Sequence, residues 1–132
     1  MPGQRPRIVV VEDDASLCLA IERILRAGGF APVTFASAEA ALEAGTAATA
    51  DCLVLDVRLP GMSGFDLYRR LTHSGEKPPV VFMTAHDEPA VREEAEKMGA
   101  SGYLAKPFSG RTLLEAVAQG LSRPPSPERI RT

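Results

Sequence analysis

The 132-residue chain has only two cysteines, Cys18 and Cys52, in no CxxC spacing. That excludes a disulfide framework and a paired-cysteine metal site, and leaves two reduced core thiols as the expectation. No apolar run approaches the roughly 18 residues that a membrane-spanning helix needs. The start, Met1-Pro2-Gly3-Gln4-Arg5-Pro6-Arg7, leads into only four apolar residues before Glu12, too few for the apolar core of a secretory signal. Net charge is only -2, so no global basic field suggests nucleic-acid binding by this segment. The two histidines, His73 and His86, lack metal-ligand spacing. There is no internal repeat. The expectation is a soluble cytoplasmic protein with no membrane partner and no direct nucleic-acid partner in this segment.

What is present fits one domain with an ordinary core, at 45% hydrophobic residues. Arg7-Ile8-Val9-Val10-Val11 is a β-branched run and predicts a first strand, stopped by the acids Glu12-Asp13-Asp14. A helix over 15–28 follows, with Leu17, Ala20, Ile21, Ile24 and Leu25 as its apolar stripe, Asp14 at its start and Gly28-Gly29 at its end. A short second strand is expected over 32–36, then a helix over 38–47 capped by Ser37. Cys52-Leu53-Val54-Leu55-Asp56 is a buried third strand, followed by the loop Pro60-Gly61-Met62-Ser63-Gly64 and a helix over 65–72. Val80-Val81-Phe82-Met83 is a fourth strand ending at Thr84, with a fourth helix over 87–98 stopped by Gly99. Residues 101–105 make a fifth strand ending at Lys106-Pro107, and a fifth helix spans 109–122. Alternating strands and helices mean an α/β fold, a doubly wound five-stranded parallel sheet with right-handed crossovers. Residues 1–6 read as an N-terminal extension, 7–122 as the domain, and the Pro-rich stretch 123–132 as a tail or linker.

In a parallel sheet the C-terminal strand ends share one edge, where ligands bind in open α/β sheets. Here that edge collects Glu12, Asp13, Asp56, Thr84 and Lys106. Three carboxylates at close range repel and take up protons more readily unless a cation joins them. A hard divalent ion such as Mg²⁺ suits their oxygens and completes its shell with water and phosphate. Lys106 supplies fixed positive charge and Thr84 a hydrogen-bond donor for a phosphoryl oxygen. These are the parts that phosphoryl transfer needs, and a carboxylate such as Asp56 can be the nucleophile. With no Gly-rich nucleotide cradle, the donor is something other than directly bound ATP.

The residues Val10-Val11-Glu12-Asp13, Leu53-Val54-Leu55-Asp56, Pro60-Gly61-Met62-Ser63-Gly64, Met83-Thr84-Ala85 and Gly99 to Phe108 resemble, in that order, the motifs of response-regulator receiver domains of two-component signalling. The resemblance covers about 7–122. It implies a flavodoxin-like (βα)5 fold with strand order 2-1-3-4-5. It implies that Asp56 is the phosphoacceptor and that Asp13 and Asp56 bind Mg²⁺ (or Mn²⁺) directly. Glu12 would act through water and the backbone carbonyl of Arg58 would be a further ligand. Thr84 and Lys106 would contact the phosphoryl group, Thr84 and Tyr103 would form the switch, and Lys106-Pro107 would be a cis peptide. The implied partners are a histidine kinase or histidine phosphotransfer protein, with a possible homodimer through helix four, strand five and helix five.

Taken singly, each residue has a plainer reading: Asp56 a solvated strand-end acid, Lys106 a surface charge, Thr84 a cap, Tyr103 a half-buried strand aromatic. Their convergence favours the functional reading. Glu12 replaces the commoner aspartate of that family and adds a methylene beside the metal. Arg58 and His86, two residues beyond Asp56 and Thr84, flank the site at positions that, by the resemblance, would tune phosphate loss. Leu17 and its neighbours are a candidate docking surface for the donor. Two other chemistries share the strand-end arrangement. A haloacid-dehalogenase-like phosphatase needs a second aspartate where this chain has Arg58. An FMN-binding flavodoxin needs a phosphate loop where this chain has Glu12-Asp13-Asp14. The 57–64 and 106–108 segments look like the FixJ-like receivers that precede a LuxR-type helix-turn-helix, so a further alternative is the receiver half of a transcription regulator whose DNA-binding part lies outside these residues.

Overall fold

The computed structural model describes residues 4–75 and 77–122. The expected tail at 123–132 lies outside the described residues. Five parallel strands, β1 (Arg7–Val11), β2 (Ala31–Phe35), β3 (Cys52–Asp56), β4 (Val80–Thr84) and β5 (Gly102–Ala105), form one sheet in the order β2-β1-β3-β4-β5. Five helices connect and follow them: α1 (Ala15–Ala27), α2 (Ala38–Ala44), α3 (Gly64–Leu71), α4 (Pro89–Lys97) and α5 (Gly110–Leu121). This is the doubly wound fold that the residue pattern predicts.

Period-2 alternation along the central strands sorts the core into two layers. Val9, Val11, Leu53, Leu55 and Phe82 face α2, α3 and α4. Ile8, Val10, Val54, Val81 and Met83 face α1 and α5. All five residues of β3 and of β4 are buried, because helices cover both faces there. Phe82 meets the edge of Phe65 at 4.7 Å between ring centres, and the Tyr68 hydroxyl donates to the Pro78 carbonyl at 2.8 Å. These contacts tie α3 to β4. No helix among the described residues is long and apolar enough to cross a membrane.

Several expected boundaries shift, each for a local reason. The helix expected over 38–47 ends at Ala44, because Gly45 turns left-handed (φ 72°) and a short 3-10 turn, Ala47–Thr49, takes over. The helix expected to start at 87 starts at Pro89: proline fits the first turn and holds Glu88 extended (φ −112°, ψ 150°). Asp87 is thereby left outside the helix. The second strand runs over 31–35 rather than 32–36, since the Glu12 amide bonds to the Phe35 carbonyl and Ser37 already caps α2. Ala20, expected in the apolar stripe of α1, is exposed. The stripe centres on Ile21 and Leu25, and Ala20 lies about 120° away around the helix.

The β3-to-α3 connection places the site. The Gly64 amide bonds to the Val57 carbonyl at 2.8 Å, and the Ser63 hydroxyl caps α3 through the Asp66 amide. A Cβ at residue 64 would lie 2.2 Å from the Asp56 carbonyl oxygen, so only glycine allows α3 to start against the end of β3. Gly64→Ala is therefore expected to displace α3 from Asp56 and to destabilise the fold by roughly 1–3 kcal/mol, the usual cost of overpacking. Urea unfolding measures this; an unchanged midpoint would contradict the close approach.

Candidate functional site

The site sits at the C-terminal ends of β1, β3, β4 and β5. Glu12 follows β1, Asp56 ends β3, Thr84 ends β4 and Lys106 follows β5. Glu12, Asp56 and Thr84 are buried, at 1%, 4% and 1% exposure, whereas Asp13 is exposed. Carboxylate oxygens of Glu12, Asp13 and Asp56 lie within 4.8 Å of one another. Thus Asp56 meets Glu12 and Asp13, neighbours of each other that are far from it in sequence.

Lys106 is the counter-charge. Its Nζ donates to Glu12 Oε1 at 2.8 Å and to Asp56 Oδ2 at 2.9 Å. The other oxygens are also held. Asp56 Oδ1 accepts the Arg58 amide at 3.0 Å, and Glu12 Oε2 accepts the Asp14 amide at 3.0 Å. Asp14 itself caps α1, its Oδ1 accepting the Leu17 amide at 3.1 Å. Each buried carboxylate therefore has a donor on both oxygens, the condition under which a buried charge is tolerated. The Arg58 side chain is exposed, and Arg58 pairs with Ser63 across the loop as an isolated bridge.

Burial opposes the Lys106 ammonium, but the hydrogen bonds it donates to Glu12 and Asp56 and their charges prevail, so its pKa lies above the usual lysine value. Burial pushes the Glu12 carboxyl above its usual range; the bonds from Lys106 and the Asp14 amide offset this only in part, and the Asp56 charge adds to the rise. Elsewhere, burial pushes the Cys52 thiol up to about 12 and raises Cys18 as well, which suits unreactive thiols.

Thr84 Oγ1 accepts the His86 amide at 2.9 Å, and the Thr84 carbonyl accepts the Lys106 amide at 2.8 Å. The Lys106–Pro107 peptide bond is cis. Tyr103 is half-buried on β5, and its hydroxyl donates to Asp87 Oδ1 at 3.1 Å. Sequence reasoning named Glu12, Asp13, Asp56, Thr84 and Lys106, and the structure brings them to one edge. It missed the Asp14 amide on Glu12 and the roles of Asp87 and Gly64. Of these, only the role of Asp87 had a signal, in Pro89, since proline marks the helix start and leaves the residues before it outside the helix.

The donor set consists of carboxylate oxygens, with no imidazole or thiolate in the cluster. Such hard donors, two of them fixed by hydrogen bonds, fit Mg²⁺ or Mn²⁺.

The raised Glu12 pKa predicts a pH effect. A carboxyl whose folded pKa lies above its unfolded value favours the fold most below the unfolded value, and this contribution fades as pH rises through the folded value. Glu12→Gln removes that dependence. The stability of the variant relative to wild type is expected to increase from pH 4 to pH 7 in chelator-treated protein. Urea unfolding across this range is the measurement, and a difference that stays flat would contradict a raised Glu12.

The family model for the response regulator receiver domain matches residues 8–118. Nodulation protein W of Bradyrhizobium diazoefficiens is 38% identical over 116 residues, which cover 88% of this chain and 51% of that protein. The transcriptional regulatory protein FixJ of Azorhizobium caulinodans is 36% identical over 123 residues, covering 93% of this chain and 58% of that protein. The chain thus spans about half the length of these relatives. A solved structure described as the BeF3-activated DrrB receiver domain superposes with a TM-score of 0.81 at 28% identity, over 91% of this chain and 100% of that one. Mg²⁺ binding and phosphorylation are features of the matched family. With the sheet order, the acidic cluster and the family match in agreement, the chain belongs to the response regulator receiver domains of two-component signalling.

Proposed function

We propose that Asp56 accepts a phosphoryl group from the phosphohistidine of a histidine kinase or histidine phosphotransfer protein. One observation carries the reading: an oriented Asp56 carboxylate lies within 4.8 Å of two further carboxylates and under the Lys106 ammonium. A carboxylate oxygen of Asp56 attacks phosphorus, the phosphorus–nitrogen bond to the donor imidazole breaks, and the imidazole keeps the electron pair. The product is an acyl phosphate on the chain's own side chain, so there is no separate substrate to release.

The residues divide this work. The Arg58 amide and Lys106 fix the direction of the Asp56 carboxylate. Lys106 also holds positive charge where charge builds on the phosphoryl oxygens. The Thr84 hydroxyl is a donor for one of those oxygens. Glu12, Asp13, Asp56 and the Arg58 carbonyl would hold Mg²⁺ or Mn²⁺, which when bound neutralises charge between the acceptor and the phosphoryl group. Tyr103 would respond to movement of Thr84 and alter the surface of α4, β5 and α5 for a partner or a second copy. Membership of the receiver family supports a cytoplasmic location for the transfer. A second reading is favoured by the coverage of FixJ, named a transcriptional regulatory protein: the same chemistry would control a DNA-binding segment outside these 132 residues. An immunoblot of the native protein, sized against the 132-residue chain, tests that reading.

Incubation with Mg²⁺ and acetyl phosphate is expected to raise the intact mass by one phosphoryl group. Asp56→Asn and excess chelator should each abolish the gain, and Lys106→Ala should slow it by about 10²–10³-fold. Phosphorylation that persists in Asp56→Asn would overturn the assignment. Arg58, exposed two residues beyond the acceptor, would shield the phosphoryl group from water. Arg58→Ala is accordingly expected to shorten the aspartyl-phosphate half-life; equal half-lives would remove the shielding role.

A further inference from the structure

A connected set of contacts leads from Thr84 away from the acidic site. Thr84 Oγ1 holds the His86 amide at 2.9 Å, and the His86 carbonyl accepts the Glu88 amide at 3.0 Å. This tight turn, closed by Pro89 at the start of α4, leaves Asp87 at the surface. Asp87 then reaches β5, sixteen residues on, and accepts the Tyr103 hydroxyl at 3.1 Å. Its two oxygens also accept Arg92 at 3.2 Å and 3.0 Å. Arg92 in turn lies over the Tyr103 ring, its guanidinium carbon 4.5 Å from the ring centre. The three side chains form a closed cycle of hydrogen bond, ion pair and cation–π contact.

We propose that Asp87 and Arg92 are positioning residues that clasp Tyr103 at the surface and thereby oppose the phosphorylated arrangement. The proposal rests on reading Asp56 as phosphoacceptor and Tyr103 as the responding aromatic. The physical logic is a population balance. A clasp formed in only one of two arrangements stabilises that arrangement and weakens any ligand that favours the other by the same factor. Thr84 is the mechanical link. When its hydroxyl moves toward a phosphoryl oxygen at Asp56, its bond to the His86 amide is pulled, and His86 is the neighbour of Asp87. Asp87 and Arg92 are exposed, and exposed pairs and cation–π contacts are individually weak. A weak clasp suits a switch, because it biases the balance without locking it. Helix capping is not the purpose of Asp87: Glu88 occupies the cap position of α4, and no side chain bonds there.

Beryllofluoride with Mg²⁺, a stable stand-in for the phosphoryl group, tests the clasp on the 132-residue chain labelled with 3-fluorotyrosine. The chain has two tyrosines, so fluorine NMR shows two signals, and Tyr103→Phe assigns them. Tyr68, buried and bonded to Pro78, is the internal control. In wild type the Tyr103 signal is expected to move on addition. In Arg92→Ala and Asp87→Ala it should start already displaced toward the activated position. The beryllofluoride midpoint should fall about three- to tenfold. Arg92→Lys, which keeps a cation at this position, should lie nearer wild type. Thermal melts of each variant confirm that the fold is intact. Midpoints within twofold of wild type in both alanine variants, or lowered midpoints with an unmoved resting Tyr103 signal, would overturn the clasp. If wild type shows neither a Tyr103 shift with beryllofluoride nor a mass gain with Mg²⁺ and acetyl phosphate, the phosphoacceptor reading falls, and the clasp with it. A mass gain that Asp56→Asn abolishes, with an unmoved Tyr103 signal, removes the clasp and leaves the phosphoacceptor.

Discussion

The position of the Lys106 ammonium between two buried carboxylates is the constraint on which this molecule depends. Glu12 and Asp56 are almost inaccessible to water, and two like charges so placed would repel each other and lose hydration together. Lys106 touches both, and two backbone amides complete their hydrogen bonding. Breaking such a buried arrangement by removing one partner is far more costly than losing a surface pair, because the remaining charges are stranded. The same arrangement that stabilises the edge also prepares it. A carboxylate held on both oxygens has a fixed direction, and a cation already beside it costs little reorganisation when negative charge arrives.

The fold makes this possible by geometry alone. Strands β1, β3 and β5 contribute one charged partner each at their C-terminal ends, and the crossover helices keep the strands parallel so that these ends coincide. Two apolar layers anchor the central strands from both faces, which leaves the strand ends as the place where polar side chains cluster. Gly64 then lets α3 begin directly against the Asp56 carbonyl. A larger residue there would pry β3 and α3 apart. Packing and chemistry meet at this one backbone contact.

The sheet and the membership of the acidic edge were legible in the sequence because both rest on local signals. An unbroken β-branched or apolar run that meets Glu12, Asp56, Thr84 or Lys106 fixes a strand and its end at once. Helix limits were less legible. The end of α2 depends on the left-handed backbone at Gly45, which the alanine-rich run around it conceals, and the start of α4 on how Pro89 restrains Glu88. The exposure of Ala20 shows a different limit: helical spacing gives a stripe, but only the neighbours decide where its centre lies. The paired bonds of Lys106 join residues 94 and 50 positions apart, the Asp14 amide on Glu12 spans 2 positions and the reach of Asp87 to Tyr103 spans 16. No periodicity encodes the long-range ones, because they follow from which strand ends and loops the topology sets side by side.

Those loop contacts matter for how a local chemical event could be felt elsewhere. A rigid sheet cannot deform continuously, so a signal must leave the site through parts that have alternative partners. Thr84 is such a part: it is buried at the edge of the acidic site, yet its side-chain oxygen holds the amide of the adjoining loop. Asp87 is another, shared between Arg92 and Tyr103. In the proposed mechanism the Thr84 hydroxyl gains a phosphoryl oxygen as partner, and the loop must then settle with one contact altered. The response is directed to β5 and α4 because Asp87 has its partners there, on Tyr103 and Arg92. Direction of transmission is thus set by hydrogen-bond partnership rather than by distance from Asp56.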